Sequence, residues 1–380
     1  MRRALTTVLT SVVTCVALGV TVATPSAGAR AASADPADPP TTVDGWTTTT
    51  PAAAGFDEHR LRRLANGARL DGSSCFAVVR DGKLVGDWSW ATPRTTPREV
   101  FSVTKSFTSA LVGIAVRDGD LGLDDRVSRY VPQWRGTPSA GVTVRDLLSN
   151  DSGRYWSMTS DYVRLSKARD RSSYAVGLRQ QFRPGRAWAY NNAAIQVLDR
   201  VISTATGVPT DQLAADRLFA PLGMTHTRMT RDPSGLSTNT YVNAQSTCLD
   251  LARFDQLYLL GGVTPDGERL LDPAFVRASV GRSSTKLNAA YGFLWWLNRP
   301  GVLRGPTDAV DRQGQPLEVH RGQLVPGAPR TLYSAIGFAG QIGMVDPGSR
   351  TIVVRLGPAS AGSSYGFDDA ARVVTWALRR

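Results

Sequence analysis

Phe101-Ser102-Val103-Thr104-Lys105-Ser106 runs straight into an apolar stretch, Phe107 to Val116, that stops at Asp118-Gly119. A largely apolar segment over 106–116, closed by glycine, predicts a buried helix. Ser102 and Lys105 stand three residues apart, so on a first helical turn they share one face and reach each other. The serine then lies at the positive end of the helix dipole, its N–H free to help hold an oxyanion. A half-buried lysine there loses basicity, and its neutral fraction accepts the serine proton. The tetrad alone is weak, because an N-cap serine beside a solvated lysine reads the same way. Ser283-Ser284-Thr285-Lys286 is an internal control with the same spacing. Leu287-Asn-Ala-Ala-Tyr291 and a strand follow it, so no helix orients it and it reads as a surface loop.

Two further segments carry chemistry. Tyr190-Asn191-Asn192, after Pro184-Gly185, opens an amphipathic helix in which Ala194, Ile195, Leu198, Val201 and Ile202 repeat at helical spacing up to Gly207. A phenol near a lysine cation is a plausible proton shuttle, and an asparagine amide can steer the lysine or hold substrate. Taken singly, the pair is equally a packing aromatic with a helix cap. Gly337-Phe338-Ala339-Gly340-Gln341 precedes a strand, Gln341 to Val345, whose edge N–H groups could complete an oxyanion hole.

Around these, the coarse organisation is strand, helix, strand. A short helix over 56–66 precedes a hairpin, Cys75 to Val79 and Leu84-Val85, turned by Asp81-Gly82. Helical patterns fill 104–260, including Val144 to Leu148 and Leu249 to Leu260. Strands return over 292–297, 332–336, 342–345 and 351–356, and a helix over 367–378 closes the chain. Strands at both ends with helices between imply one sheet built from the two termini and an inserted helical lobe.

The 380 residues, 42% hydrophobic and 20% charged, exclude wholesale disorder and a disulfide miniprotein. Net charge is +12 but the arginines are scattered and form no long run. This favours anionic surroundings such as a cell-wall polymer, and no nucleic-acid motif accompanies it. Arg2-Arg3, the apolar run Ala4 to Ala23 and the small-x-small sites near Ala27 to Ala31 read as an export leader, residues 1–31, followed by a flexible linker, 32–45. The expected product is secreted and soluble, without a stable membrane anchor. Its two cysteines, Cys75 and Cys248, are either one disulfide or two small buried hydrophobes. His59, His226 and His320 form no zinc pattern. Gly362-Ser363-Ser364-Tyr365-Gly366 matches G-x-S-x-G, but no histidine follows to serve it.

In order and rough spacing, the three chemical segments resemble the serine β-lactamase and penicillin-binding protein family, with S-x-x-K, a middle Tyr-x-Asn and a K-T-G or H-x-G strand. The likeness extends through Val78 to Val85, Val142 to Leu148, Ser152-Gly153, Pro221 to Met224 and Tyr291 to Trp296. Tyr190 with Asn192 is similar to the class C β-lactamase, D-Ala-D-Ala carboxypeptidase and family VIII esterase branch. Ser102 to Ser106 and Gly337 to Gln341 are most similar to 6-aminohexanoate-oligomer hydrolases. The resemblance implies an α/β (α+β) fold of the β-lactamase/transpeptidase type. One domain, 46–380, would hold an α/β lobe (46–105 and 290–380) and a helical lobe (106–289). It implies acyl transfer without cofactor or metal: Ser102 as nucleophile, Lys105 and Tyr190 as proton carriers, and the N–H groups of Ser102 and Gln341 on the oxyanion. Asn192, Phe338, Gly340 and Tyr162 would meet substrate, with Tyr155 and Trp156 near the acyl pocket.

Phe338 departs from the family pattern. A cation there gives a substrate carboxylate a charge-assisted hydrogen bond worth about 1.5–3 kcal/mol, which a phenyl ring cannot. The expectation is therefore hydrolysis of small esters or uncharged amides. β-Lactamase or D-Ala-D-Ala carboxypeptidase action, with an arginine from elsewhere, is the first alternative. A non-catalytic cell-wall binding module is the second.

Overall fold

The computed structural model describes residues 42–90, 92–358 and 365–379. The leader, the linker up to residue 41 and Ser363-Ser364 lie outside them. Residues 42–45, read as the linker's end, instead belong to the fold. Thr42 and Val43 pair with Thr47 and Trp46, and Asp44 takes an ion pair from Arg253 at 3.1 Å.

Six antiparallel strands form the central sheet: β1 (Cys75–Arg80), β2 (Lys83–Ser89), β3 (Trp296–Leu297), β4 (Tyr333–Gly337), β5 (Gln341–Asp346) and β6 (Thr351–Leu356). Their order across the sheet is β2-β1-β6-β5-β4-β3, so both chain ends build it as expected. Asp81 and Gly82, at φ +50° and +74°, make the β1–β2 turn. The inner strands are apolar on both faces because both are covered. Phe76, Val78, Ile342, Met344 and Val353 pack with Phe56, with Leu61 and Ala65 of the N-terminal helix α1 (Glu58–Leu70) and with Phe367, Ala370 and Val373. Ala77, Val79, Val345, Ile352 and Val354 join the larger core of the helical lobe.

That lobe contains α2 (Thr104–Asp118), α3 (Val144–Leu148), α4 (Asn192–Thr206) and α5 (Cys248–Leu259). Helix α2 is buried from Thr104 through Ala115, as the apolar run requires, and ends on Gly119 at φ +81°. Cys75 and Cys248 are bonded, tying the start of β1 to the start of α5. Three boundaries differ from expectation. Helix α1 runs on through Gly67, where a side chain would meet nothing within 4 Å. The strand expected over 292–297 shrinks to Trp296–Leu297, because Leu294 takes a positive φ of 61°. The closing helix is regular over Phe367–Arg372 and then winds as a π turn, Val373–Ala377. Between β3 and β4 the chain inserts a small hairpin, Gly301–Leu303 with His320–Gly322, whose connecting loop reaches the site.

Candidate active site

Ser102 sits in a single 3₁₀ turn, Phe101–Val103, that feeds α2. Phe101 holds φ +48°, a conformation that costs a non-glycine residue energy and needs support from its surroundings. That support is visible. Thr104 Oγ1 donates to Phe101 O at 2.6 Å and accepts from Ala244 N at 3.0 Å, while Val100 N donates to Ala244 O at 2.9 Å. Gly337, at the end of β4, lies against the Val100 carbonyl so closely that no side chain would fit.

One turn on, Lys105 Nζ donates to Ser102 Oγ at 2.8 Å and to the Tyr241 carbonyl at 2.8 Å. Lys105 is 1% exposed. Burial lowers its pKa to about 7, with the Asp161 charge opposing the fall. Nζ also stands 4.7 Å from the centre of the Tyr190 ring and 5.6 Å from that of Tyr241. Tyr190 is buried, which pushes its phenol well above the usual range, although a side-chain hydrogen bond with Ser102 works against that rise. Its ring stacks on Trp296, 5.5 Å between centroids, and meets Tyr291 edge-on at 6.0 Å. The phenol is therefore a neutral proton donor near neutral pH, and the amine has a neutral fraction there. This is a workable pair for moving one proton on and off a serine oxygen.

The set opens on a cleft of about 630 Å³, lined by Tyr162, Trp296, Leu303, Leu324, Ile336 and Phe338 among others. Phe338 stands 64% exposed at its mouth and packs edge-on against Phe101, 5.7 Å between centroids. Tyr162 donates to the Pro306 carbonyl at 3.2 Å, bridging the helical lobe and the inserted loop.

The structure thus brings Ser102, Lys105 and Tyr190 together, with Tyr162 and Phe338 on the wall. Other expected residues fall elsewhere. Gln341 is fully buried, begins the inner strand β5, pairs with Gly337 and ties its side chain to Gly357; it is not among the cleft-lining residues. The reason is the register of the glycine turn. The strand beside Ser102 is β4, which precedes the turn, and β3 pairs only with Tyr333 and Ser334 of it. The edge beyond Ser334 faces the cleft through Ile336, Gly337 and Phe338. Gly340 serves the turn at φ +74°, where a side chain would run into the Tyr365 carbonyl, and it is not among the cleft-lining residues. Asn192 is buried behind the cleft, its backbone N–H donating to Asp161 at 3.0 Å and its Oδ1 without a hydrogen-bond partner. Trp156 donates to the Tyr190 carbonyl at 3.2 Å, and Tyr155 lies against Arg179; neither lines the cleft. Ser283 donates to Ala289 O at 2.6 Å in a loop whose Lys286 is exposed.

Three participants were not singled out from sequence. Trp296 lies in the Tyr291 to Trp296 segment that carried part of the family resemblance, and that was the available signal. Arg304, in the cleft wall, and Asp161, on the first N–H groups of α4, are a lone base and a lone acid with no pattern around them. Among the described residues no cluster of His, Cys, Asp and Glu is placed to hold a metal ion, and no helix is long and apolar enough to cross a membrane.

A sequence model described as Beta-lactamase matches residues 61–373, most of the chain and all of the site. The chain belongs to the β-lactamase family. Within that family of serine hydrolases it is 27% identical over 171 residues to a D-aminopeptidase of Cereibacter sphaeroides, covering 41% of this chain and 32% of that protein. It is 29% identical over 204 residues to penicillin-binding protein 4 of Amycolatopsis lactamdurans, covering 46% and 53%. The chain thus spans about a third and about a half of the length of these two curated relatives. Among solved structures, a putative 6-aminohexanoate-dimer hydrolase from Bacillus anthracis superposes with TM-score 0.64 at 17% identity, covering 87% of each chain, which establishes the shared β-lactamase fold.

Proposed function

We propose that this β-lactamase family member is an exported serine hydrolase that cleaves small esters or uncharged amides through an acyl-enzyme on Ser102. The observation that carries the reading is the 2.8 Å contact between Ser102 Oγ and a buried Lys105 whose pKa lies near 7, opening on an apolar cleft. In this scheme neutral Lys105 takes the serine proton as Oγ attacks the carbonyl carbon. The N–H of Ser102 and one from the Ile336–Phe338 stretch, in place of Gln341, hold the oxyanion. Tyr190 or Lys105 returns the proton to the leaving group, and water then releases the acyl chain and regenerates Ser102. The apolar walls and the phenyl ring of Phe338 suit an uncharged substrate. The basic leader followed by an apolar run supports export.

A second reading, carboxypeptidase or β-lactamase action, draws on Arg304. Its side chain is 2% exposed in the cleft wall, its Nε has no hydrogen-bond partner, and Asp308 lies 3.8 Å away. A substrate carboxylate would have to compete with Asp308 for it, which favours the first reading. The test is a panel of p-nitrophenyl esters, linear amide oligomers, nitrocefin and D-Ala-D-Ala peptides, each run against Ser102→Ala. Ester or amide turnover that vanishes in the variant supports the proposal. Nitrocefin cleaved as efficiently as a simple ester would hand the site to the second reading. Failure of a fluorophosphonate probe to label Ser102 would leave a binding module.

A further inference from the structure

A buried carboxylate stands behind the catalytic set. Asp161 is 2% exposed and lies in a π-helical turn, Thr159–Arg164, a form of helix that recurs at functional sites. Its Oδ2 accepts from Asn192 N at 3.0 Å and its Oδ1 from Ala193 N at 2.8 Å. These are the first N–H groups of the 15-residue helix α4, which starts two residues after Tyr190. Asn191 already caps the same helix through Ala194 N at 2.8 Å, so Asp161 is more than the cap the helix would otherwise lack.

The surroundings show where its charge acts. Lys105 is faced by Asp161 from the π turn, by Tyr190 from the segment before α4, and by Tyr241 from the loop before α5. Behind Tyr241 stand Arg171 and Asp232, and Glu99 lies against Arg171. Tyr162 and Tyr291 complete the ring around Tyr190. Asp161 is the carboxylate whose charge reaches Lys105, Tyr190, Tyr162 and Tyr241 alike. Burying an acid costs the fold, and here burial raises it to about 6, so it remains mostly ionised at neutral pH.

We propose that Asp161 is a positioning residue for the Ser102–Lys105–Tyr190 set, fixing the turn that carries Tyr190 and holding the Lys105 ammonium in place between proton transfers. The proposal rests on the serine hydrolase reading above. Asp161 does not line the cleft, so it acts through Tyr190 and Lys105 rather than on substrate.

The test is the pH profile of ester hydrolysis by Asp161→Asn, which keeps shape and one acceptor oxygen but removes the charge. The acid limb of kcat/KM moves to lower pH by about half a unit to one unit, because the lost carboxylate had favoured protonated Lys105. At the plateau, kcat falls about tenfold or more with KM nearly unchanged. An unshifted limb, or a change confined to KM, overturns the proposal. Asp161→Glu keeps the charge while displacing it by one methylene. It leaves the limb in place and lowers kcat, and wild-type kcat in this variant overturns the positioning role even should the Asn variant not fold. Ser102→Ala separates the two layers. Activity that survives it sinks the hydrolase reading and this proposal together, whereas activity lost in Ser102→Ala with an unmoved Asp161→Asn profile sinks only the role of Asp161.

Discussion

The ring of Tyr190 stacks on that of Trp296, with 5.5 Å between centroids and 26° between planes. Tyr190 comes from the entrance to helix α4 and Trp296 from the short edge strand β3, so this contact is where the helical lobe and the sheet meet beside Ser102. An offset stack of this kind adds about 0.5–1.5 kcal/mol beyond simple burial, and it fixes the plane from which the phenol projects.

Replacing Trp296 therefore harms catalysis through Tyr190. Trp296→Ala lowers kcat on a short ester by about tenfold or more, since a small misplacement of a proton carrier is expensive. Trp296→Phe retains a platform and recovers most of the rate. Steady-state kinetics on both, alongside urea melts, decides it; equal kcat in wild type and Ala variant rules it out.

The two S-x-x-K copies separate cleanly. Ser102→Ala reduces ester turnover by roughly a thousandfold or more. Ser283→Ala leaves it within about twofold, because Ser283 only closes its loop onto Ala289 O at 2.6 Å. Intact-mass analysis after a fluorophosphonate probe gives the same answer by a second route, with one adduct in wild type and in Ser283→Ala and none in Ser102→Ala.

The pH dependence follows from Lys105. Its pKa is lowered by burial to about 7, and in the scheme proposed above the neutral amine is the working base. Activity consequently rises with pH through about 7 and then levels, so the acid limb of kcat/KM reports Lys105. Lys105→Arg stays cationic at all these pH values and loses about a thousandfold or more. A flat profile between pH 6 and 8, a range of about one unit either side of that pKa, would contradict the assignment.

The Cys75–Cys248 bond closes a sequence separation of 173 residues and joins the sheet to the first turn of α5. Removing it by the paired alanine substitution costs about 2–4 kcal/mol in urea unfolding. The bond does not touch the cleft, so kcat at 25 °C, a reference temperature for such values, stays near wild type in the folded fraction. Equal urea midpoints for oxidised protein and paired variant would show that the bond adds nothing to stability.

Much of the architecture was legible because it rests on short-range rules. The Asp81-Gly82 turn, the boundaries of α3 and β6, and the stops of α2 and α4 at Gly119 and Gly207 all follow from local backbone preferences. Where local rules misled, a neighbour decided. Gly67 does not end α1, because Asp57 starts the helix firmly, accepting from Arg60 N at 3.0 Å, and packing carries it on to Leu70. Gln341 is displaced from the expected oxyanion position because the glycine turn belongs to the start of an inner strand, and strand register is a property of the whole sheet.

From the chain alone, the spacing of Ser102 and Lys105 ahead of an apolar run singled the pair out, since residues three apart on a helical turn share a face. The spacing did not determine whether that amine could act as a base. Its lowered pKa comes from Tyr190, Tyr241 and the surrounding core, which arrive from distant parts of the chain to exclude water, while Asp161 arrives with them to limit the shift. Desolvation, ring stacking and the cystine pairing depend on which remote segments meet, and only the packed tertiary structure makes that choice.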